Sequence, residues 1–530
     1  MKGVGGNFLS KRGELLLAAA VALLLAAYAT AFILRPDQLF ADDTYFYLQV
    51  AWNFARGMGS TFNNIMPTNG YHPLWMLICA AIYKVVPSKT AGVHAVAAVV
   101  TLLDVLMLLT VRRIDKSVAG DLWIFSFLIL IPFSFLSQLG TEGALSGLFL
   151  SLLMLTAYQL SEEPTLRNAL VFSLVAAIAV LSRLDNIFIV TFVWIAQWLE
   201  MGRQAEKRAG RRFLIYMLPI FVGLWGSYLA TNWIYFHTIQ PISGLLKSSR
   251  VEHSLRGNFP HVAWFALAVI AVCFPIVAVR KRDLFFHVVE IPFALGVLCH
   301  FAYIGLRMSS ETRWTWYYTS WILLGSILLA RAASVVLERQ AWLAMPSAVL
   351  CVLLMGAAWV RFSYYYCFVA SDVRPPADFN DIYKKAGIRA AFTYDEPGGL
   401  AYYSDVKIVP LDGLMGNIDF QHELATKGIR TIAEEEHIDG FIGPPMPLTE
   451  GEAKSYCDQI FVAAATLRCV PDGNGSWQLS SVDVFARVPS VPAGSLALDK
   501  NQIVWSRPHV VSVWRIDPSI DPAPSSTGTK

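Results

Sequence analysis

The sequence predicts an α-helical polytopic membrane bundle of about eleven transmembrane helices, followed by an extracytoplasmic α/β domain. Three observations carry this. Of 530 residues, 55% are hydrophobic and only 15% are charged, with a positive mean hydropathy, as expected for a chain whose solvent is largely hydrocarbon. Long apolar runs recur up to about residue 361, and their basic flanks fall on alternate connections. Beyond about residue 370 the runs shorten while Asp, Pro and Gly rise, so a water-facing domain follows.

Lys11 and Arg12 precede the apolar stretch 15–34, which puts the N-terminus in the cytoplasm. The stretch is too long for the core of a signal peptide and shows no clear cleavage site, so it reads as a retained helix. Residues 35–90 then form an outer-face loop, whose part ADDTYFYLQVAWNFARGMGSTFNNIMPTNGYHPLW (41–75) holds an acid pair, an amphipathic aromatic helix and a Pro/Asn/Gly turn. The apolar run 74–86 is short and opens at Pro73. As a full span it would place Arg112, Arg113 and Lys116 outside, so it reads as a helix half-sunk in the outer interface.

Spans expected near 91–111, 118–137, 143–160, 166–182, 186–200, 213–235, 261–279, 284–305, 316–333 and 342–361 then keep the basic clusters inside. Those clusters are Arg112/Arg113, Arg203 to Arg212, Arg280 to Arg282 and Arg331/Arg339. The resulting division is a membrane domain over 1–368, an extracytoplasmic α/β domain over 369–520 and a disordered tail over 521–530. Within the outer domain, strand-like pieces at 390–394, 407–411, 440–442 and 482–488 alternate with helix-like ones. Cys457 and Cys469 share this domain in a compartment where disulfides persist, so a bridge is expected; two free thiols are the other reading.

Nucleic-acid binding is excluded, because the basic residues sit in short loops and form no basic domain. The outer face instead gathers acids and bases from five loops. Asp42, Asp43, Asn69 and His72 come from the first, Glu142 from the second, Arg183 and Asp185 from the third, His237 and Lys247 from the fourth, and Glu311 and Arg313 from the fifth. Such a set suits an interfacial active site: a carboxylate takes a proton from a hydroxyl, and cations hold a departing phosphate. Other readings stand beside this one. Lys247 and Arg313 equally suit helix anchors at the headgroup level, Arg183 with Asp185 suits an ion pair at a helix break, and His72 suits a satisfied interfacial histidine. Asp42, Asp43 and Glu142 offer hard oxygen ligands for a divalent cation, but with no fixed ligand spacing, so no metal is assigned.

The order of a long first helix, an outer-face acid pair, an aromatic amphipathic helix, a Pro-containing interfacial helix and a later loop acid resembles the GT-C superfamily of polytopic glycosyltransferases. NGYHPLW (69–75), GTEGAL (140–145), LSRLDN (181–186), YFHTIQPISGLLK (235–247) and RWTWYY (313–318) look like a bacterial branch acting on cell-envelope glycans. Arabinofuranosyltransferases and relatives of the protein mannosyltransferases belong to that broad group. YDEPGGLAYYSDVKIVPLDGL (394–414) is similar to a segment such enzymes carry after the last helix.

The resemblance implies inverting transfer of a sugar from a polyprenyl-phosphate donor to a hydroxyl of an envelope glycan, lipid or protein, on the outer face of the bacterial cytoplasmic membrane. Asp42 or Asp43 would be the base, with Asp42 favoured as nearer the first helix. Lys247, Arg313 and His72 would hold the phosphate, and Tyr45, Asn69, Tyr71, Glu142, Arg183, Asp185 and Trp314 would line the acceptor side or the pocket. A transporter or flippase of lipid-linked sugars is the alternative, with the Asp pair as its ion site. Against it, the sequence shows no paired inverted halves, and the acids read as loop residues.

Overall fold

The computed structural model describes residues 9–137, 139–203, 207–249, 259–308, 315–338, 340–368, 380, 384, 387–393, 397–411, 413–443, 468–471, 477–480, 485–487 and 512–516. Among these residues the α-helices up to 368 are α1 (Lys11–Leu34), α2 (Asp42–Ala55), α3 (Pro73–Val85), α4 (Lys89–Val118), α5 (Ile124–Ser137), α6 (Gly143–Glu162) and α7 (Leu166–Ser182), then α8 (Ile187–Arg203), α9 (Lys207–Phe236), α10 (Ile242–Ser249), α11 (His261–Arg280), α12 (Ile291–Arg307), α13 (Thr319–Leu337) and α14 (Ala344–Phe368). Their starts follow local chemistry. Ser10, Ser88 and Thr165 cap α1, α4 and α7 by accepting backbone N–H groups that have no partner in the first turn. Pro73 opens α3, where its missing N–H costs nothing.

Eight helical stretches among the described residues are long and apolar enough to cross a membrane, at α1, α4, α6, α8, α11, α12, α13 and α14. The chain is a multi-pass membrane protein. The other expected spans, at 118–137, 166–182 and 213–235, also fold as helices, α5, α7 and α9, without meeting that measure. The stretches at α6 and α13 are 78% buried and those at α1, α11 and α14 only 22%, so α6 and α13 form the middle of the bundle and the others its rim. Leu15 and Leu23 on α1, Trp233 and Ile234 on α9 and Trp342 just before α14 stay exposed, as lipid-facing side chains do.

The acids are not confined to loops, which corrects the sequence reading. Asp104 and Asp115 on α4, and Glu290 in the π-helical turn Phe286–Glu290 before α12, are buried inside spanning helices. Arg331 of α13, itself fully buried, pairs with Asp283 at 2.9 Å and with Glu290 at 3.4 Å, and Asp115 lies within its field. Charges at that depth persist where they find partners across helices.

Past the bundle, β1 (Ala390–Thr393), β2 (Lys407–Pro410), β3 (Gly440–Gly443), β6 (Phe485–Arg487) and β7 (Ser512–Ile516) form one sheet in the order β2-β1-β3-β7-β6. β1 pairs in parallel with β2 and β3, and β7 closes the sheet antiparallel. Helices Pro397–Tyr403 and Ile418–Glu435 lie between its first three strands, and β4 (Arg468–Pro471) with β5 (Trp477–Ser480) makes a separate pair. Each of the four strand-like pieces of the sequence contains a strand among its described residues. Cys457, one end of the expected bridge to Cys469, and the tail 521–530 lie outside the described residues.

Candidate active site

The site is built where α2, α3, α6, α7, α8 and α10 end on one face of the bundle. Helical periodicity divides the acid pair of α2. Asp42 and Tyr45, three positions apart, turn toward the segment 397–411 that follows the bundle, while Asp43 and Tyr47, four apart, share the face turned into the bundle. Asp42 accepts the backbone N–H groups of Gly398 at 2.9 Å and Gly399 at 2.6 Å, at the start of helix Pro397–Tyr403. Tyr45 is buried, donates to Asp37 at 3.0 Å and packs on Tyr402 and Tyr403. Tyr45 is therefore a docking residue and does not line a pocket.

Further contacts seat the same segment. Tyr402 donates to the Lys89 carbonyl at 2.7 Å, its hydroxyl meets that of Tyr83 at 2.5 Å, and Asn417 donates to the Pro67 carbonyl at 2.8 Å. Gly70 and Gly398 permit the close approach. A Cβ on Gly70 would sit 1.8 Å from the Leu414 carbonyl oxygen, and one on Gly398 would sit 2.3 Å from that of Asp42.

On the inward face the charges interlock. Tyr47 donates to Glu142 Oε2 at 2.8 Å and accepts the backbone N–H of His72 at 3.3 Å. Glu142 Oε1 receives Arg183 Nη1 and lies 3.6 Å from His72 Nε2. Arg183 also clasps Asp185 through Nε at 2.8 Å and Nη2 at 3.0 Å. This pairing is possible because the chain breaks at Arg183, extended between α7 and the 3-10 turn Leu184–Asn186 that leads into α8. Burial alone would raise the Glu142 pKa, but His72, Arg183 and the Tyr47 hydroxyl outweigh it and hold the carboxylate below its ordinary range. His72 is pushed down by burial, helped by Arg183, and its Nδ1 accepts the Leu184 N–H at 3.3 Å. Both ring nitrogens of His72 are thus turned to protein groups, Nδ1 to the Leu184 N–H and Nε2 toward Glu142.

Lys247, on α10, donates to the Tyr317 hydroxyl at 3.3 Å. Burial works against its charge, but Tyr317 and the nearby Asp43 carboxylate raise its pKa and keep it an ammonium. The Arg183 guanidinium lies over the Tyr317 ring at 4.1 Å. Asn69 fixes the start of α10: its amide donates to the Gln240 carbonyl at 3.3 Å and accepts the Ile242 N–H at 3.2 Å. Asn69 thus holds the element that carries Lys247, and Tyr71 is bound to Ser60 at 2.5 Å beside it.

No protein-family model matches the chain, and neither does any curated protein. Its fold matches crystal structures of ArnT from Cupriavidus metallidurans, a GT-C glycosyltransferase. The form bound to undecaprenyl phosphate aligns at a TM-score of 0.52 and 13% identity, over 96% of this chain and 100% of that one. The apo form aligns at 0.53 and 15%, over 81% and 93%. This chain has the GT-C fold.

Within the GT-C fold, the structure brings Asp43, His72, Glu142, Arg183, Asp185 and Lys247 together, and separates Asp42, Tyr45 and Asn69 into docking and bracing roles. Arg313, Trp314 and Glu311 lie outside the described residues. His237 faces Asp419 at 3.2 Å, both well exposed, away from this cluster. Among the described residues no three His, Cys, Asp or Glu side chains gather as a metal site. Asp42 and Glu142, offered as ligands by the sequence, point to different partners.

Sequence reasoning missed four contributors. Tyr47 was legible as the residue one turn after Asp43, and Tyr317 stood inside RWTWYY. His300, a lone ionisable group in an apolar run, carried a signal of its own. Trp321, which meets His300, carried none.

Proposed function

We propose that the protein is an inverting glycosyltransferase that takes a sugar from a polyprenyl-phosphate donor and attaches it to a hydroxyl of a cell-envelope acceptor. The observation that carries the reading is that Asp43 lies near enough to Lys247 to favour its ammonium, a carboxylate and a cation at one end of a GT-C fold. ArnT, which shares that fold, was crystallised with undecaprenyl phosphate, and this supports a donor of the same chemical kind.

In this mechanism Asp43 accepts the proton of the acceptor hydroxyl as its oxygen attacks the anomeric carbon. The bond from that carbon to the phosphate oxygen breaks on the opposite face, and polyprenyl phosphate leaves. Lys247, in place on α10, meets the charge that grows on the phosphate. Arg183 is already engaged by two carboxylates, so it shapes the site through Tyr317 and does not serve as the main phosphate ligand. Asp42 keeps the outer segment seated over the first loop. The reaction runs on the outer face of the bacterial cytoplasmic membrane, with the N-terminus inside and the sheet domain outside.

The buried Asp104, Asp115 and Glu290 favour a second reading, transport of a lipid-linked sugar with protonatable groups along the bundle. Purified protein in proteoliposomes, given labelled polyprenyl-phosphate sugars and envelope extract, separates the two. The transferase reading expects a new glycoside and free polyprenyl phosphate, with Lys247→Gln raising KM for the donor more than for the acceptor. Label that crosses the bilayer without a new glycosidic bond would replace it with the transport reading.

A further inference from the structure

Behind the charged cluster lies a second set of contacts that the mechanism above does not use. His300, on α12 and buried, places Nε2 3.1 Å from Asp185 Oδ2. Its other nitrogen, Nδ1, accepts a hydrogen bond from the Trp321 indole Nε1–H at 3.2 Å. Trp321, on α13, is fully buried. An indole nitrogen can only donate, so Nδ1 must present its lone pair, and the proton of the neutral imidazole is then fixed on Nε2, where it donates to Asp185. The Phe188 ring stacks on the imidazole at 5.9 Å between centroids and sets its plane.

The chain of contacts continues to the reacting end. Asp185 receives Arg183 through two nitrogens, Arg183 lies over the Tyr317 ring, and the Tyr317 hydroxyl accepts from Lys247. Each link is a directional hydrogen bond, an ion pair or a ring contact within a buried region, where geometry is held tightly.

We propose that Trp321 and His300 are positioning residues for donor binding: Trp321 selects the His300 tautomer, and His300 through Asp185 sets the Arg183–Tyr317 platform against which Lys247 is presented. Neither residue touches substrate. The inference rests on the transferase reading for its kinetic consequence, but the tautomer is a property of the folded protein alone.

Two measurements test it, and they fail separately. In nitrogen NMR of protein carrying labelled histidine, the His300 signals, assigned by comparison with His300→Gln, should show a protonated Nε2 and an unprotonated Nδ1. In Trp321→Phe, which keeps the bulk and removes the donor, that preference should weaken. Protonation on Nδ1 in the wild type would overturn the proposal whether or not any transfer is seen.

In the transfer assay, His300→Ala should lose about 100-fold in kcat/KM for the donor, the order expected when a site geometry shifts by about 1 Å. KM for the acceptor should stay unchanged. His300→Gln, whose amide both donates and accepts, should recover much of the loss. Equal activity of His300→Ala and wild type would overturn the proposal, as would a loss that Gln does not relieve in a variant of normal thermal stability. If His300→Ala does not fold, Trp321→Phe takes its place in the assay with the same expected split between donor and acceptor KM. A wild type active on no donor, with the tautomer as expected, would count against the transferase reading and leave the relay standing.

Discussion

The carboxylate of Asp42 accepts the backbone N–H of Gly399 at 2.6 Å, from 357 positions further along the chain. One residue on, Asp43 lies close enough to Lys247 to strengthen its ammonium. Two adjacent acids thus serve two purposes, because one step along a helix turns the side chain by about 100°. The first seats the segment that follows the bundle, and the second is the proposed general base.

Seating depends on the absence of a side chain at Gly398. A methyl group there would sit 2.3 Å from the Asp42 carbonyl oxygen and 2.9 Å from its carboxylate, so Gly398→Ala should lift the segment. The expected cost is about 1–3 kcal/mol, as for other overpacked positions. It should appear as a lower melting temperature and faster hydrogen exchange across 397–411. Gly244→Ala, with open space around its position, is the control. Equal protection in the two variants would show that the segment is held elsewhere.

Arg183 faces two carboxylates in a buried setting, and removing one partner of such a set leaves charge without compensation. Arg183→Met should destabilise the protein by about 3–5 kcal/mol. Arg183→Lys should restore little, since an ammonium cannot fork to Glu142 and Asp185 together. Tryptophan fluorescence melts in detergent measure both variants. A Lys variant as stable as wild type would show that net charge alone matters here.

Stability should fall on acidification in two stages. His72 in the unfolded chain takes up a proton near its ordinary value of 6.5, whereas the folded protein resists until lower pH, so unfolding is favoured progressively below 6.5. Glu142 stays ionised in the folded state below its ordinary 4.5, so its stabilisation is complete above 4.5 and is lost as pH falls through the lower folded value. Melting curves from about pH 8 to about pH 2 should show His72→Asn flattening the upper stage and Glu142→Gln the lower. A melting temperature that rises as pH falls from 6.5 to 4.5 would contradict the His72 assignment, and one that rises below 4.5 the Glu142 assignment.

The helices were legible because the signal is local: an apolar run and its flanking Lys or Arg report transfer into hydrocarbon with no knowledge of the rest of the chain. The strands at β1, β2 and β3 were legible for a similar reason, as short apolar runs between turn residues. The division of labour between Asp42 and Asp43 was not. It depends on which face of α2 meets Gly398 and Gly399, and nothing near residue 42 encodes that. The contacts of Tyr45 were hidden for the same reason, since its partners Tyr402 and Tyr403 lie more than 350 positions further along the chain. The buried Asp104, Asp115 and Glu290 were overlooked because single acids inside long apolar runs barely lower the mean hydropathy. Only the fold shows Arg331 reaching Glu290.

The most direct test compares Asp43→Asn with Asp42→Asn in transfer from labelled polyprenyl-phosphate sugars, with melting curves of both. The account predicts that Asp43→Asn loses about 100- to 10,000-fold in kcat at unchanged stability, the range for a lost general base. Asp42→Asn should keep most of its turnover while melting lower. Full turnover in Asp43→Asn, with the loss falling on an equally stable Asp42→Asn, would contradict it and return the base to Asp42.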